Sequence, residues 1–263
     1  MNRAFNWLSG LAAGHALPGY PASLQVVDGE LDNRLARFIA VVPDARNPFP
    51  RARAGEVGLL EGWGLAKAVN DAIEADRNGE KRAIVAVIDV PSQAYGRREE
   101  ALGIHQALAG AVDAYARARL AGHPVIGLLV GKAMSGAFLA HGYQAQRLIA
   151  LDDSGVMVHA MGKAAAARIT LRSVEALEAL AAEVPPMAYD LASYASLGLL
   201  WRRLGVADAD TPAAPDLARV RACLAEAVAD IGQSTDLASR LGGEHRRASR
   251  EVRERLRQQW QEA

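Results

Sequence analysis

A mixed α/β fold built on a largely parallel sheet is the architecture this sequence predicts. Two short, unbroken apolar runs carry that expectation, AIVAVIDV from Ala83 to Val90 and VIGLLVG from Val125 to Gly131. Runs of this kind suit strands covered on both faces. Segments of helical apolar spacing separate them, with Pro or Gly at each changeover. A strand, helix, strand order implies parallel pairing through crossover helices.

In order along the chain, residues 1–22 read as an N-terminal extension. Ser23 to Val27 and Leu35 to Val42 are apolar and β-branched around the turn-forming Asp28, Gly29, Asp32 and Asn33, which predicts a hairpin. Gly55 to Asp76 places Val57, Leu60, Leu65, Val69 and Ile73 near helical spacing, and Asn78-Gly79 stops it. Arg98 to Ala121 is read as one long helix, and Ser135 to Gln144 as a short buried one. Leu148 to Leu151 and Val156 to His159 are further strands. Helices are expected at Ser173 to Glu183, Met187 to Leu204, Leu217 to Ile231 and Glu244 to Glu262, making 173–263 mainly helical.

The 263 residues fit one core with peripheral helices, so a single domain over 1–263 is expected. Lys plus Arg equals Asp plus Glu at 30 each, which leaves no basic field to hold a phosphate backbone, so nucleic acid is not an expected partner. The single cysteine, Cys223, falls on a helix and reads as a buried structural thiol, in keeping with a reducing compartment. Asn6, Gly10, Gly14 and His15 interrupt the N-terminal apolar stretch too often for a signal peptide, and no apolar run approaches membrane-spanning length. A cytoplasmic location is the expectation. On the last helix Ala248, Val252, Leu256 and Trp260 form a stripe among interleaved Glu and Arg, the pattern of a docking helix.

Two loops carry candidate chemistry: VPSQAYG after Val90, and GKAMSGA after Val130. Each follows a buried strand and precedes a helix, where parallel sheets bind ligands. Gly136 permits close approach of a ligand, and the first amides of the helix it opens lack intrahelical partners. Two such N–H groups converging on one point make an oxyanion hole; taken alone, the pattern also fits a purely structural turn.

The stretch from Asp89 to Ala137 resembles the C-terminal half of acyl-CoA carboxyltransferases. There an Asp-x-Pro-Gly-aromatic loop, a long helix and a Lys-Ala-Tyr-Gly-Gly-Ala turn follow one another; here the loops are Asp89-Val-Pro-Ser-Gln93 and Lys132-Ala-Met-Ser-Gly-Ala137. Gly55-x5-Glu61-x5-Lys67 is similar as well. Ser92 and Ser135 at glycine positions, with the short chain, resemble malonate decarboxylase gamma subunits more than biotin-dependent carboxyltransferases.

That resemblance implies a crotonase/Clp-like ββα superhelix with peripheral C-terminal helices. It also implies a homologous beta subunit as partner and a malonyl thioester as substrate. The thioester would ride on a pantetheine-type arm of an acyl carrier subunit, with no cofactor or metal bound by this chain. Carried over by position, Gly136 and Ala137 would supply amides at the helix start and Gln93 the opposing amide, as catalytic groups. Ser92, Tyr95, Ser135 and His159 would contact substrate.

Two rival readings stand at this stage. A Clp-type serine peptidase would use Ser135 and His159, yet aligned on the shared Gly-Ala-Phe its nucleophile falls on Met134. A non-catalytic scaffold would share the fold and leave the chemistry to its partner. His105, His123, His141 and His159 recur every 18 residues but are split by Pro124 and a strand, so no metal array is expected. Asp152-Asp153 reads as a solvated turn.

Overall fold

The apolar runs lie side by side in one seven-stranded sheet. The computed structural model describes residues 2–262. Ahead of the sheet, α1 (Arg3–Ala12) is capped by the Asn2 side chain, which accepts from Phe5 N–H. The N-terminal segment is therefore no mere extension. Trp7 and Leu11 are fully buried, and the indole N–H of Trp7 donates to Ala209 O at 2.8 Å.

Strands β1 (Leu24–Leu31) and β2 (Arg34–Val41) form the antiparallel hairpin. Its turn residues Asp32 and Asn33 both have positive φ, 51° and 61°, the conformation that matches strand twist and that Asp and Asn tolerate. From β2 onward the pairing is parallel. Helix α2 (Leu59–Ala75) leads to β3 (Ala83–Val90); α3 (Arg97–Ala101) and α4 (Ile104–Leu120) lead to β4 (Val125–Met134); α5 (Ser135–Ala140) leads to β5 (Arg147–Leu151). The helix expected from Arg98 to Ala121 is broken at Gly103, whose φ of 82° does not continue a helix.

Strand β4 serves two neighbours. Ile126 to Leu129 pair with β5, whereas Lys132 to Met134 pair with β6 (Met157–His159). Between these parts the register with β3 slips, from Ile88 opposite Leu129 to Val90 opposite Ala133. Such an irregularity re-aims a strand end.

Helices α6 (Lys163–Ile169), α7 (Val174–Glu183) and α8 (Leu191–Ser196) follow, then β7 (Arg202–Leu204), α9 (Ala214–Ile231) and α10 (Arg247–Glu262). The helix expected from Met187 to Leu204 is the main correction. Only Leu191–Ser196 is α-helical; Gly198 turns the chain with φ 73°, where a side chain would strike the Gly243 backbone at 2.6 Å. Beyond it β7 completes the sheet edge on β5, so tertiary pairing overrides helix propensity. Helix α6 was not legible in the sequence. Helix α10 has no buried side chain, so its stripe stays exposed among the described residues. Among the described residues no helix is long and apolar enough to cross a membrane.

The amino ends of the central strands are tied by ions. Asp28 accepts two hydrogen bonds from Arg37, both at 2.7 Å, and one from Arg82 at 2.8 Å; Arg82 also forks onto Asp76 at 2.7 Å. Burial opposes ionisation of Asp28 and Asp76, yet the arginine bonds hold both carboxylates below their usual range.

His141 is a second internal tie. Fully buried, it donates from Nε2 to Val87 O and accepts at Nδ1 from the Tyr115 hydroxyl, each at 3.1 Å, joining α5 to β3 and α4. Burial lowers its pKa from 6.5 to about 4, against a smaller opposing pull from the Val87 carbonyl. Between those two values the unfolded chain binds a proton that the folded chain refuses. Stability therefore falls as pH drops through that window. The expected loss is roughly 3 kcal/mol. Urea denaturation at neutral pH and at about pH 4 should show it, and His141→Gln, which cannot titrate, should lose correspondingly less.

Candidate active site

Where β4 ends, the chain makes the tight turn into α5. Ser135 sits there with φ 57°, a left-handed conformation uncommon for a residue with a side chain. Its hydroxyl donates to Ala160 O at 2.5 Å, fastening the turn to the segment after β6. Gly136 follows, and its N–H donates to the side-chain Oε1 of Gln93 at 2.9 Å. Ala137 is fully buried behind it. These amides belong to the first turn of α5 and have no carbonyl four residues back.

Gln93 comes from the loop after β3, and that loop is held firmly. Val57 N–H donates to Ser92 O at 3.1 Å, Ala94 N–H donates to Val57 O at 2.8 Å, and the Ser92 hydroxyl donates to Gln93 O at 2.6 Å. Behind Val57, the fully buried Glu61 carboxylate accepts from Gly58 N–H at 2.9 Å, from Asn47 Nδ2 at 2.7 Å and from the Ser23 hydroxyl. Asp89 braces the two loops: its Oδ1 accepts from Lys132 N–H at 2.9 Å. A side chain at Gly131 would meet that oxygen at 2.2 Å and push Asp89 off the Lys132 amide.

The Gly136 turn opens on a chamber of about 590 Å³ with largely apolar walls, including Phe138, Val158, Met161, Met187 and Leu199. Gln93, Ser135, Gly136 and His159 all line it. His159 Nδ1 lies 2.8 Å from Met161 O, and its ring stacks on Tyr189 with centroids 3.8 Å apart. Burial lowers the pKa of this imidazole, against smaller opposing pulls from the backbone of Met161 and Met187. It is thus held largely neutral at neutral pH.

Two residues expected at the site stand apart from the chamber. The Ser92 hydroxyl is turned onto backbone, and Tyr95 is 54% exposed outside the lining. Gln93 faces Gly136 with its side chain, where a backbone amide was expected. Tyr194 was missed: it lines the chamber, and its buried hydroxyl has no hydrogen-bond partner among the described residues. It lies in α8, inside the segment misread as one long helix, so nothing in the sequence marked it.

The remaining candidates have structural surroundings. Among the described residues no hydrogen bond joins Ser135 to His159; the hydroxyl serves Ala160 instead. His123 lies beside Asp76 at the far end of the strands. The described residues hold no group of three or more His, Cys, Asp or Glu that could bind a metal. Asp152 and Asp153 each pair with an arginine, Arg203 and Arg3, at 2.6 Å. Cys223 is buried, and burial pushes its thiol pKa up.

A mainly parallel sheet that passes one strand between two neighbours and ends it in an amide-bearing turn defines a carboxyltransferase-like fold. A transcarboxylase 12S core protein has the same fold, with a TM-score of 0.65 over 88% of this chain and 41% of that chain, at 19% identity. More specifically, the chain belongs to the malonate decarboxylase gamma subunit family, whose description matches residues 52–260. A chain of a Pseudomonas malonate decarboxylase hetero-tetramer in complex with coenzyme A is 71% identical, with a TM-score of 0.96, over 99% of this chain and 100% of that one. A chain of the Pseudomonas MdcD–MdcE hetero-dimer is 70% identical, with a TM-score of 0.92, over the same shares. The malonyl-S-ACP:biotin-protein carboxyltransferase of Malonomonas rubra is 40% identical over 144 residues, 53% of this chain. The chain spans about half, 49%, of that relative's length.

Ser135 gives a test of the turn. Its left-handed backbone costs on the order of 1 kcal/mol, and the bond to Ala160 offsets roughly the same amount. Ser135→Gly removes both and should unfold within about 1 kcal/mol of the parent in urea. Ser135→Ala keeps the strain, loses the bond and should be less stable by about 1 kcal/mol.

Proposed function

We propose that this chain is the gamma subunit of a malonate decarboxylase complex and supplies one side of a decarboxylation site completed by a homologous beta subunit. The substrate is a malonyl thioester on the pantetheine-type arm of an acyl carrier subunit. Family membership supports the reaction class, and the hetero-dimer and hetero-tetramer of its Pseudomonas relatives support the partner. The observation that carries the site assignment is the Gly136 N–H, which belongs to the chamber lining and holds a carbonyl-type oxygen at 2.9 Å.

Decarboxylation breaks the bond between the carboxylate carbon and C2. Its electron pair moves onto the thioester as an enolate, CO2 departs, and a proton added at C2 gives the acetyl thioester. The site's task is to hold negative charge on the thioester oxygen while that pair arrives. Backbone N–H groups suit this task because they are fixed before the reaction and do not titrate. Gly136 is the donor assigned here, with Ala137 beside it in the first turn of α5 and the backbone N–H of Gln93 contributing from the opposite loop. Ser135 positions the turn. His159, neutral and partly buried, is the chamber's imidazole, placed to orient substrate or return the proton. The name of the Malonomonas rubra relative favours a second reading, in which the carboxyl group passes to a biotin-bearing protein instead of leaving as CO2. Malonyl-dependent labelling of a biotinyl protein in the native complex distinguishes the two.

Two outcomes are expected. The purified chain alone should not decarboxylate malonyl carrier, and adding the beta subunit should restore turnover; robust activity from partner-free chain would remove the shared site. Gly136→Val should slow single-turnover CO2 release roughly 10²- to 10³-fold per assembled complex. A Cβ there would stand 3.4 Å from the acceptor oxygen, so the valine methyls crowd the oxygen's seat. A near-normal rate in assembled complex would make the subunit a scaffold.

A further inference from the structure

The acceptor on the Gly136 amide belongs to the chain itself. Gln93 Oε1 is a neutral carbonyl oxygen, as is the oxygen of a thioester, and it sits 2.9 Å from the nitrogen that the mechanism assigns to substrate. Substrate oxygen and glutamine oxygen therefore compete for one donor. We propose that the Gln93 carboxamide is a plug, an internal competitor that must be displaced by any ligand that uses the Gly136 amide. The proposal deepens the decarboxylase reading and rests on it for the identity of the displacing oxygen.

How Gln93 is held supports this role. The loop is fixed by three hydrogen bonds around Gln93, two to Val57 and one from the Ser92 hydroxyl. For the side chain, the bond from Gly136 is the one hydrogen bond found among the described residues. The carboxamide can swing aside through its own torsions without moving the backbone. The chamber gives it room.

An internal competitor lowers the apparent affinity of every ligand for the amide by one common factor, the fraction of time the seat is free. A net hydrogen bond of this kind corresponds to a roughly two- to tenfold factor. A thioester delivered on a docked carrier has other contacts and tolerates that loss. A free carboxylate such as acetate has little beyond this contact among apolar walls. The factor is the same for each, so the plug leaves their ratio unchanged, but it takes a weakly held free acetate or malonate out of its binding range while the tethered substrate stays bound. Once charge develops on the thioester oxygen, its hydrogen bond to the amide exceeds that of a neutral carboxamide, so exchange favours the reacting state.

The test titrates acetate into the ¹⁵N-labelled full chain and follows the Gly136 amide resonance, which reports binding without turnover and shows whether each variant is folded. Gln93→Ala and the shorter Gln93→Asn should both bind acetate roughly two- to tenfold more tightly. Gln93→Glu should bind it more weakly at neutral pH, because the introduced carboxylate holds the amide harder and repels the anion. A purely structural role would not move the variants in opposite directions. Unchanged or weaker acetate binding in the two neutral variants would overturn the plug. In the assembled complex, KM for malonyl carrier should fall by the same factor as the acetate Kd in Gln93→Ala. A complex with no decarboxylase activity would refute the functional reading, whereas the acetate titration decides the plug by itself.

Discussion

Everything at the candidate site depends on the point where β4 stops pairing with β5 and begins pairing with β6. A strand that stayed in register would carry its end past the chamber. The slip against β3 and the tie from Asp89 to the Lys132 amide bring the end of β4 beside the loop after β3. That places the Gly136 N–H opposite Gln93, and it sets Ser135 against Ala160, which follows β6. Helix α5 is short, and its buried face, Ala137 and Phe138, locks the turn into the core.

Among the described residues no Asp, Glu, Lys or Arg lines the chamber. Arg37, Asp28, Arg82 and Asp76 form a chain of ion pairs at the amino ends of the strands, where they secure the hairpin and α2. At the carboxyl ends the polar residues lining the chamber bring amides, a carboxamide, the hydroxyls of Ser135, Tyr143, Thr170 and Tyr194, and one imidazole into largely apolar walls. In such surroundings a fixed N–H dipole interacts with developing negative charge more strongly than it would in water. Neutral donors also keep the site from attracting anions indiscriminately, and Gln93 adds an internal competitor at the donor itself.

Much of this was legible in the sequence wherever one physical signal dominated. Unbroken apolar runs located β3 with both of its ends, and the turn residues Asp32 and Asn33 located the hairpin. Gly136 stood out because a strand-to-helix turn with glycine is a recognisable local pattern. What was not legible depends on distant neighbours. Trp7 and Leu11 form a buried face only because Ala209 and the sheet lie above them. Leu199 to Leu204 becomes a turn and an edge strand because β5 offers a free edge. Tyr194 enters the chamber through that same rearrangement. The Gln93 side chain could not be distinguished from its backbone amide by spacing, since the choice between them is made by a side-chain rotamer that spacing does not encode.

The central claim is that a backbone amide of this chain, not a titratable side chain, holds the oxygen on which charge develops. The most direct measurement is a crystal structure of the assembled complex with a carrier-linked malonyl thioester analogue in which a nitro or sulfonate group replaces the departing carboxylate. The account predicts the thioester oxygen about 2.7–3.1 Å from the Gly136 nitrogen, with the Gln93 carboxamide swung away. An analogue oxygen bound elsewhere, with Gln93 still on the Gly136 amide, would contradict it.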